Sequence, residues 1–253
     1  MTSRSARVSA ERPFYDLHAD AYDALVTDSP EPWVEAVHAR LAAAGCHRAR
    51  VLDAGCGTGR HARGLLDRGH DVELLDASPR LLGLAARRCP GSPAHEADLC
   101  GLGLAPRFDA VTCRGVLNDL VTDAERDAAL ASFARVLRPG GLLFLDVREA
   151  GASRVRADGT QRRRTVTLDE GATLSFVSRP RWREGRLLVA ETYELSTPDG
   201  RVSVHDYDFE MRPWTADELR ERATVAGFDV REMLPGVGRS TPDRLFVVTA
   251  RSQ

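Results

Sequence analysis

Residues 51–61, VLDAGCGTGRH, decide the fold: a short apolar run ends at Asp53 and continues into three glycines within five positions. An apolar run bounded in this way by glycine predicts a buried strand followed by a tight turn. Because glycine lacks a side chain, such a turn lets the backbone approach a ligand closely. The stretch therefore predicts a nucleotide-binding turn after a first strand, and by itself it leaves the nucleotide open.

The composition is that of an ordinary globular protein. The chain has 253 residues, enough for one large domain or a domain with an insertion, and 43% of them are apolar and 28% charged. The net charge of −2 indicates no overall attraction to nucleic acid or to an anionic membrane. No apolar run reaches the roughly 18 residues of a membrane-spanning helix, and residues 1–13 lack the apolar segment of a secretory signal. We therefore expect a cytoplasmic protein with a disordered N-terminal tail.

Two further features of the composition exclude classes of chemistry. The five cysteines are odd in number and lack CxxC spacing, which indicates neither a disulfide framework nor a zinc site. Lysine is absent, so the protein cannot form a Schiff base with pyridoxal phosphate or use a P-loop lysine. No acidic constellation of the kind that holds a metal in catechol-type enzymes is present, and we expect no bound metal.

From residue 50 onward, short apolar runs alternate with amphipathic stretches, the pattern of βαβ units in a parallel sheet. Ser78 and Pro79 mark one helix start, as an N-cap followed by proline at the first helical position. The predicted strands are 51–54, 71–76, 94–99, 108–115 and 142–147, and the predicted helices are 58–68, 79–89 and 123–137.

After the fifth strand the pattern changes. Residues 165–210 alternate apolar and polar side chains and carry two hairpin turns, which predicts an antiparallel sheet inserted over the parallel one. A helix is predicted over 214–228, with Thr215 and Glu218 as a capping box, before strands at 229–234 and 244–250. We accordingly divide the chain into a tail (1–13), an N-terminal helical lid (14–49), a nucleotide-binding core (50–150), an antiparallel β cap (151–212) and a closing helix with two strands (213–253).

The spacing of the glycines and the acidic residues distinguishes between the nucleotide cofactors that such a turn could bind. A dinucleotide-binding turn reads G-x-G-x-x-G, whereas here Arg60 takes the third glycine position and the last glycine, Gly59, comes one residue early. Asp53 at the tip of the strand would repel a pyrophosphate and attract the ammonium group of S-adenosylmethionine. Asp76 ends the second strand, where an acid can accept both ribose hydroxyls. Together these positions favour S-adenosylmethionine over a nicotinamide or flavin dinucleotide.

The motifs between residues 51 and 147 resemble those of class I S-adenosylmethionine-dependent methyltransferases, and the inserted sheet is similar to the cap of amino-sugar and other natural-product methyltransferases. The resemblance implies an α/β, Rossmann-like, doubly wound seven-stranded sheet with an inserted antiparallel β cap and an N-terminal helical lid. It implies S-adenosyl-L-methionine as the cofactor. The residues that it assigns to cofactor binding are Tyr15, Tyr22, Asp53, Ala54, Gly55, Gly57, Gly59, Asp76, Ala77, Asp98, Leu99, Arg114 and Gly115.

The segment after the fourth strand holds the catalytic candidates, because ligands of open α/β sheets lie beyond the carboxyl ends of the strands. Asn118 is the only asparagine of the chain, and its amide is expected either to serve the substrate or to cap a turn. Asp119 and His18 are candidate bases for a nitrogen or oxygen nucleophile. The residues predicted to bind the substrate are Arg148, Trp182 and Tyr207.

A group of arginines at positions 148, 154, 156 and 162–164 lies between the fifth strand and the cap. It predicts either a solvated loop or an anion clamp, since arginine binds phosphate with two parallel hydrogen bonds. A nucleotide-diphosphate sugar would suit the clamp.

The sequence thus predicts a methyltransferase that acts on a nitrogen or oxygen of a small metabolite, with an amino sugar or another natural product preferred. Two alternatives stay open: a related enzyme that catalyses a non-methyl reaction such as cyclisation, and a non-catalytic S-adenosylmethionine-binding module. The expected partners are the small-molecule substrate and a second copy of the chain, paired through the cap. Neither nucleic acid nor a membrane is expected.

Overall fold

The computed structural model describes residues 19–105, 107–168 and 171–252, apart from the side chains of Asp20 and Tyr22. The helices are α1 (Ala19–Leu25), α2 (Glu31–Ala43), α3 (Arg60–Asp67), α4 (Pro79–Arg88), α5 (Asp123–Val136), α6 (Ala150–Arg156) and α7 (Ala216–Val225). The strands are β1 (Arg50–Ala54), β2 (Asp71–Asp76), β3 (Ala94–Glu96), β4 (Phe108–Arg114), β5 (Leu137–Arg148), β6 (Arg162–Thr167), β7 (Thr173–Arg183), β8 (Arg186–Ser196), β9 (Val202–Met211), β10 (Phe228–Pro235) and β11 (Arg244–Arg251). Within the described residues, no helix is long and apolar enough to cross a membrane.

Seven strands form one sheet in the order β10-β11-β5-β4-β1-β2-β3. Strands β1 to β5 are parallel to one another, whereas β11 runs antiparallel to both β5 and the edge strand β10. The chain order reverses between β1 and β4, which places a crevice at the carboxyl ends of these two strands. The prediction of a doubly wound, seven-stranded sheet is confirmed.

Helices cover both faces of this sheet and bury most of its side chains in apolar clusters. On one face, α5 and α7 contribute Phe133 and Leu219 to a buried cluster. On the other face, α2 and α3 contribute Trp33 and Leu65. A parallel sheet buried in this way holds few polar side chains, so the polar groups of the fold collect at the ends of the strands.

Local backbone geometry explains where the elements differ from their predicted bounds. Helix α3 begins two residues later than predicted because Gly59 adopts a left-handed conformation with φ of 78°. Strand β3 is short because Asp98 accepts a backbone N–H at 2.8 Å and starts a 3₁₀ turn at Leu99–Gly101. Residues 138–141, between the predicted helix 123–137 and the predicted strand 142–147, lie inside β5, where the pairing with β4 is irregular.

Strands β6 to β9 form a second sheet, which is wholly antiparallel and follows chain order. Glu184 and Gly185 join β7 to β8 with φ values of 49° and 77°, the left-handed geometry of a two-residue hairpin turn. The inner face of this sheet includes the buried side chains of Leu174 and Tyr193. The prediction of an antiparallel cap separate from the parallel sheet is confirmed.

Arg126 is a fully buried arginine that ties α5 to the segments around it. Its guanidinium donates to Glu218 at 2.8 Å, to the Leu120 carbonyl at 3.0 Å and to the Arg212 carbonyl. The guanidinium carbon also lies 3.8 Å from the centre of the Trp214 ring. Burial lowers the pKa of Arg126 to about 10, so the side chain stays cationic at neutral pH.

The capping box predicted at the start of α7 is only half formed. Thr215 accepts a hydrogen bond from the backbone N–H of Glu218 at 3.1 Å, as predicted. The Glu218 carboxylate accepts instead from Arg126, Arg212 and Arg222. Three charge-assisted bonds stabilise the carboxylate there more than one bond to a backbone N–H would.

We expect Arg126→Met to lower the free energy of unfolding by about 3 kcal/mol, because removing one member of a buried ion pair leaves its partners unsatisfied. Methionine retains much of the side-chain volume, so lost hydrogen bonds dominate the effect. Arg220→Met, at a half-exposed arginine of α7, is the control and should change stability by less than about 0.5 kcal/mol. Urea unfolding measures both variants, and equal effects would contradict the expectation.

Candidate active site

A cavity of about 310 Å³ opens at the carboxyl ends of the central strands and extends to the cap. Its volume lies within the range of small-molecule sites. The wall includes the glycine turn after β1, the start of α4, the loop after β4, the segment between β10 and β11, and parts of β8 and β9. The acidic and basic side chains that line it are Asp53, Asp76, Asp119, Glu191, Arg60, His61, Arg114, Arg148, Arg239 and Arg244.

Asp53 lies at the end of β1 with only 4% of its surface exposed. The hydroxyl of Thr112 on the neighbouring strand β4 donates to its Oδ1 at 2.7 Å. Burial raises the pKa of Asp53 to about 6, since the charged form loses most of its hydration. A cationic ligand in the cavity would favour the ionised carboxylate.

Asp76, at the end of β2, organises the glycine turn. Its Oδ2 accepts the backbone N–H of Gly57 at 2.8 Å, and its Oδ1 accepts the backbone N–H of Ser78 at 2.9 Å. Gly55 in the same turn has φ of 75°, and a Cβ there would lie 2.5 Å from Cγ2 of Val116. The turn therefore requires glycine at this position for both its backbone conformation and its packing.

The cavity brings together most of the predicted site residues. Those in its wall are Asp53, Gly55, Gly57, Asp76, Ala77, Leu99, Arg114, Gly115, Asp119 and Arg148. Three predicted cofactor residues belong to the supporting elements behind the wall: Ala54, Gly59 and Asp98. Tyr15, His18 and the side chain of Tyr22 lie outside the described residues.

Of the two roles expected for Asn118, the contacts of its amide support the one that holds a turn. Its side chain is fully buried, with Oδ1 accepting the Arg148 backbone N–H at 2.7 Å and Nδ2 donating to the Gly115 carbonyl at 3.5 Å. Its own carbonyl accepts the Arg212 N–H at 2.8 Å. Both ends of the amide therefore bond to backbone, and the residue positions the loop after β4 against β5 and the end of the cap.

The predicted arginine group is not gathered at the cavity. Arg148 reaches the wall, where it pairs with Asp243. Arg162 instead donates to the Arg156 carbonyl at 3.0 Å, and Arg164 donates to a carbonyl of α1. The first bond lies within the cap range and the second ties the cap to the lid, while Arg154, Arg163 and Arg164 are exposed, so the group does not form a single clamp at the cavity.

Two arginines that the sequence pattern did not indicate join Arg148 in the wall. Arg239 and Arg244 both donate to Asp146, which is fully buried near the end of β5. Burial lowers the pKa of Arg244 to about 9. Arg239 comes from the segment between β10 and β11, which carries no recognisable motif, and Arg244 is the first residue of β11.

Arg114 and His61 form a further pair in the wall. The Arg114 guanidinium lies 2.8 Å from Nε2 of His61 and donates to the Gly238 carbonyl at 2.7 Å. Burial and the neighbouring Arg114 hold the pKa of His61 well below its usual range, so the imidazole is neutral and can accept from the guanidinium. The position of His61, directly after the glycine turn, could have been found from the sequence.

Trp182 and Tyr207 were predicted to bind substrate, but the described cavity wall contains neither. Trp182 packs against a cap cluster that includes Phe209 and Met211. Tyr207 packs beside Tyr193, with ring centres 5.8 Å apart. Alternation along the strands instead brings Glu191 and Met211 of the cap to the cavity, and this register is visible only in the folded sheet.

Helix α1 is fixed to the glycine turn by a three-residue contact. The Asp23 carboxylate accepts from the Thr58 hydroxyl at 2.5 Å and from the Arg88 guanidinium at 2.6 Å. Arg88 also donates to the Thr58 carbonyl at 2.8 Å. Val26, just beyond the helix, lines the cavity, so the contact holds the N-terminal segment as one of its walls.

These features define a class of protein: an α/β enzyme with a nucleotide site at its sheet switch point. The donor set fits S-adenosylmethionine, because Asp53 offers a carboxylate to an ammonium group and Asp76 offers one to ribose hydroxyls. The third glycine of the dinucleotide spacing is replaced by Arg60, which donates to the carbonyl of Asp28 at 3.1 Å.

Comparison with known proteins gives the family. A family model described as a methyltransferase domain matches residues 51–141. The dTDP-3-amino-3,6-dideoxy-alpha-D-glucopyranose N,N-dimethyltransferase of Streptomyces fradiae is 33% identical over 199 residues, covering 74% of this chain and 72% of that protein.

Solved structures agree in fold. CalS10, an amino pentose methyltransferase from Micromonospora echinaspora with bound S-adenosylmethionine, is 28% identical with a TM-score of 0.74, over 93% of this chain and 97% of that one. The sugar N-methyltransferase KedS8 from a Streptoalloteichus species is 25% identical with a TM-score of 0.78, over 94% and 93%. The chain belongs to the S-adenosylmethionine-dependent methyltransferases, and it is an enzyme that uses this cofactor.

We expect the affinity for S-adenosylmethionine to rise between pH 5 and pH 7 and then level off. The pKa of Asp53 is about 6, so below that pH the binding of an ammonium group must first displace a proton from the carboxyl. The dissociation constant should increase about tenfold for each pH unit below 6. Calorimetric titration measures it, and Asp53→Asn should bind more weakly and without this pH dependence. A wild-type affinity that is constant from pH 5 to 7 would rule out the titration of Asp53.

We expect Asp23→Asn to speed both association and dissociation of S-adenosylhomocysteine several-fold, because the variant loses the ion pair with Arg88 that fixes α1 to the glycine turn and holds Val26 in the cavity wall. Stopped-flow fluorescence gives the two rates. Asp67→Asn, which breaks an exposed ion pair on α3, is the control and should leave them unchanged. An increase in the dissociation rate alone would mean that α1 stabilises the bound ligand and does not restrict the entry of the ligand into the cavity.

Proposed function

We propose that this enzyme methylates the nitrogen of an amino sugar or a closely related small amine. The observation that carries the proposal is the charge of the cavity beyond the cofactor residues, where Asp119 of the core and Glu191 of the cap both line the wall. Two carboxylates suit a substrate that arrives as an ammonium ion. The named relatives that act on amino sugars support the same substrate class, and they favour methyl transfer over a non-methyl reaction or a binding module.

In this proposal the chain's residues have separate roles. Asp53 and Asp76 hold the cofactor, and the glycine turn supplies backbone N–H groups beside it. When bound, S-adenosylmethionine supplies an electrophilic methyl group. Asp119 accepts the proton that the amine must lose before its lone pair can act as a nucleophile. Asn118 keeps the Asp119 loop in place through its backbone bonds, and the surrounding wall holds the amine in line with its target.

The arginine side of the cavity suits an anionic group on the same substrate. Arg148 and Arg244 line the wall, and each has a buried Nε–H without a hydrogen-bond partner within the described structure. An unpaired buried donor is costly unless a ligand satisfies it. We propose that a phosphate or another anion of the substrate does so, as in a nucleotide-linked amino sugar.

The substrate class is tested by incubating the enzyme with S-adenosylmethionine and dTDP-3-amino-3,6-dideoxy-α-D-glucopyranose, followed by a panel of free amino sugars and their hydroxyl counterparts. Mass spectrometry should show N-methylated product together with S-adenosylhomocysteine. Methylation of hydroxyls alone would contradict the proposed nitrogen specificity. Product without cofactor consumption would indicate a non-methyl reaction, and binding without any product would indicate a sensor.

We expect Asp119→Asn to lower kcat/KM for the amine about 100-fold, the typical contribution of a positioned base, with little change in S-adenosylmethionine affinity. Steady-state kinetics and calorimetry on the same variant separate the two effects. Full activity in the variant would remove Asp119 from the mechanism. Loss of cofactor affinity in parallel would reassign it to cofactor binding.

We further propose that the protein is cytoplasmic and that the lid, core and cap ranges of the sequence are its functional parts. We also propose that the chain works as a homodimer paired through the outer face of the cap. Val202 and Val204 of β9 lie on that outer face and are 60% and 53% exposed. Light scattering should give twice the chain mass, and Val204→Glu should shift it toward the monomer. A monomeric wild type would contradict the pairing.

A further inference from the structure

Glu191 places a carboxylate on a face of the cap that is otherwise largely apolar. It lies in β8, and the residues on the same side of that strand include Leu187, Val189 and Tyr193. Within the described residues, Glu191 and Met211 are the two members of the cap strands that line the cavity. Glu191 is therefore the charged group that the cap presents to a ligand.

The carboxylate is held by a rigid neighbour. The Tyr193 hydroxyl donates to Oε2 of Glu191 at 2.7 Å, and the Tyr193 side chain is only 5% exposed. Its ring lies between those of Phe176 and Tyr207, with centres 5.0 Å and 5.8 Å away. A ring fixed on both sides directs its hydroxyl along one line, so the carboxylate that accepts from it is oriented before any ligand arrives.

Packing of the cap does not require a charge at this position. The buried inner-face clusters of the cap are built from aliphatic and aromatic side chains. Glu194, three residues along β8, lies on the outer face and is exposed. Hydrogen bonds between ionised groups are stronger than those between neutral groups, so a carboxylate in the cavity wall favours a cationic ligand.

We propose that Glu191, oriented by Tyr193, is the residue that selects an amine over a hydroxyl group in the substrate. The assignment rests on the proposed function, and it separates two tasks: Glu191 binds the ammonium form as the substrate enters, and Asp119 takes the proton at the reacting nitrogen. Tyr193 is a positioning residue that acts through Glu191. A carboxylate accepts up to about four hydrogen bonds, so a bond from Tyr193 is compatible with a bond from a ligand.

The test measures binding, so that it does not depend on turnover. The enzyme saturated with S-adenosylhomocysteine is titrated calorimetrically with dTDP-3-amino-3,6-dideoxy-α-D-glucopyranose and with the counterpart that carries a hydroxyl at the same carbon. We expect the wild type to prefer the amine. Glu191→Gln should reduce this preference at least about tenfold, the usual effect of losing a hydrogen bond between charged groups.

Two further variants make the result specific. Tyr193→Phe keeps the packed ring and removes only the hydroxyl, so it should reduce the preference about threefold without changing affinity for S-adenosylhomocysteine. Glu194→Gln removes an equal charge from the opposite face of the same strand and should leave the preference intact. Tyr193→Phe also provides an independent test if Glu191→Gln folds poorly.

The outcomes separate this inference from the proposed function. The role of Glu191 is overturned if the wild type binds the amine no more tightly than the hydroxyl counterpart. It is also overturned if the wild type methylates amines and Glu191→Gln keeps the full preference for the amine. A preference that depends on Glu191, in an enzyme that methylates no amine of the panel, supports the inference and overturns the proposed function. An equal loss in Glu194→Gln would show a general charge effect and overturn the assignment.

Discussion

The carboxylate of Asp76 joins the two turns on which the site depends. One oxygen accepts the N–H of Gly57 after β1, and the other accepts the N–H of Ser78 at the start of α4. Parallel strands end at the same edge of the sheet, and the backbone N–H groups of the turns that follow them need hydrogen-bond partners. Because one carboxylate accepts a backbone N–H from each turn, it fixes the position of the two turns relative to each other. Residues of both turns line the cavity.

The cavity is assembled from parts of the chain that are distant in sequence. The parallel sheet supplies Asp53 and Asp76, the cap supplies Glu191, and the segment after α1 supplies Val26. The acidic groups near the glycine turn suit the cofactor, while the carboxylate of the cap and that of Asp119 face the remaining space. In the proposed function these two acidic environments have different tasks, cofactor binding at the glycine turn and amine binding in the remaining space.

Predictions from the sequence succeeded where the signal is local. The glycine turn, the N-cap at Ser78 and the alternation of the cap strands are each decided within a few residues, and all are confirmed. For Asn118 the sequence left two roles open, because rarity says nothing about burial, and the bonds of its amide to the backbone of Gly115 and Arg148 support the role in a turn. For the arginine group the sequence left a clamp and a solvated loop open, and Arg148 is the member that lines the described cavity, because closeness in sequence does not bring side chains to one place.

The sequence by itself determined the order of strands and helices, the nucleotide turn and the acidic residues at the first two strand ends. These follow from periodicity, from the conformational freedom of glycine and from the common edge at which parallel strands end. Only the tertiary structure decided which charges meet: Arg148 pairs with Asp243, 95 residues away, and Glu191 reaches the cavity through the register of the cap. Such contacts depend on how whole elements pack, and no short stretch of sequence carries that information.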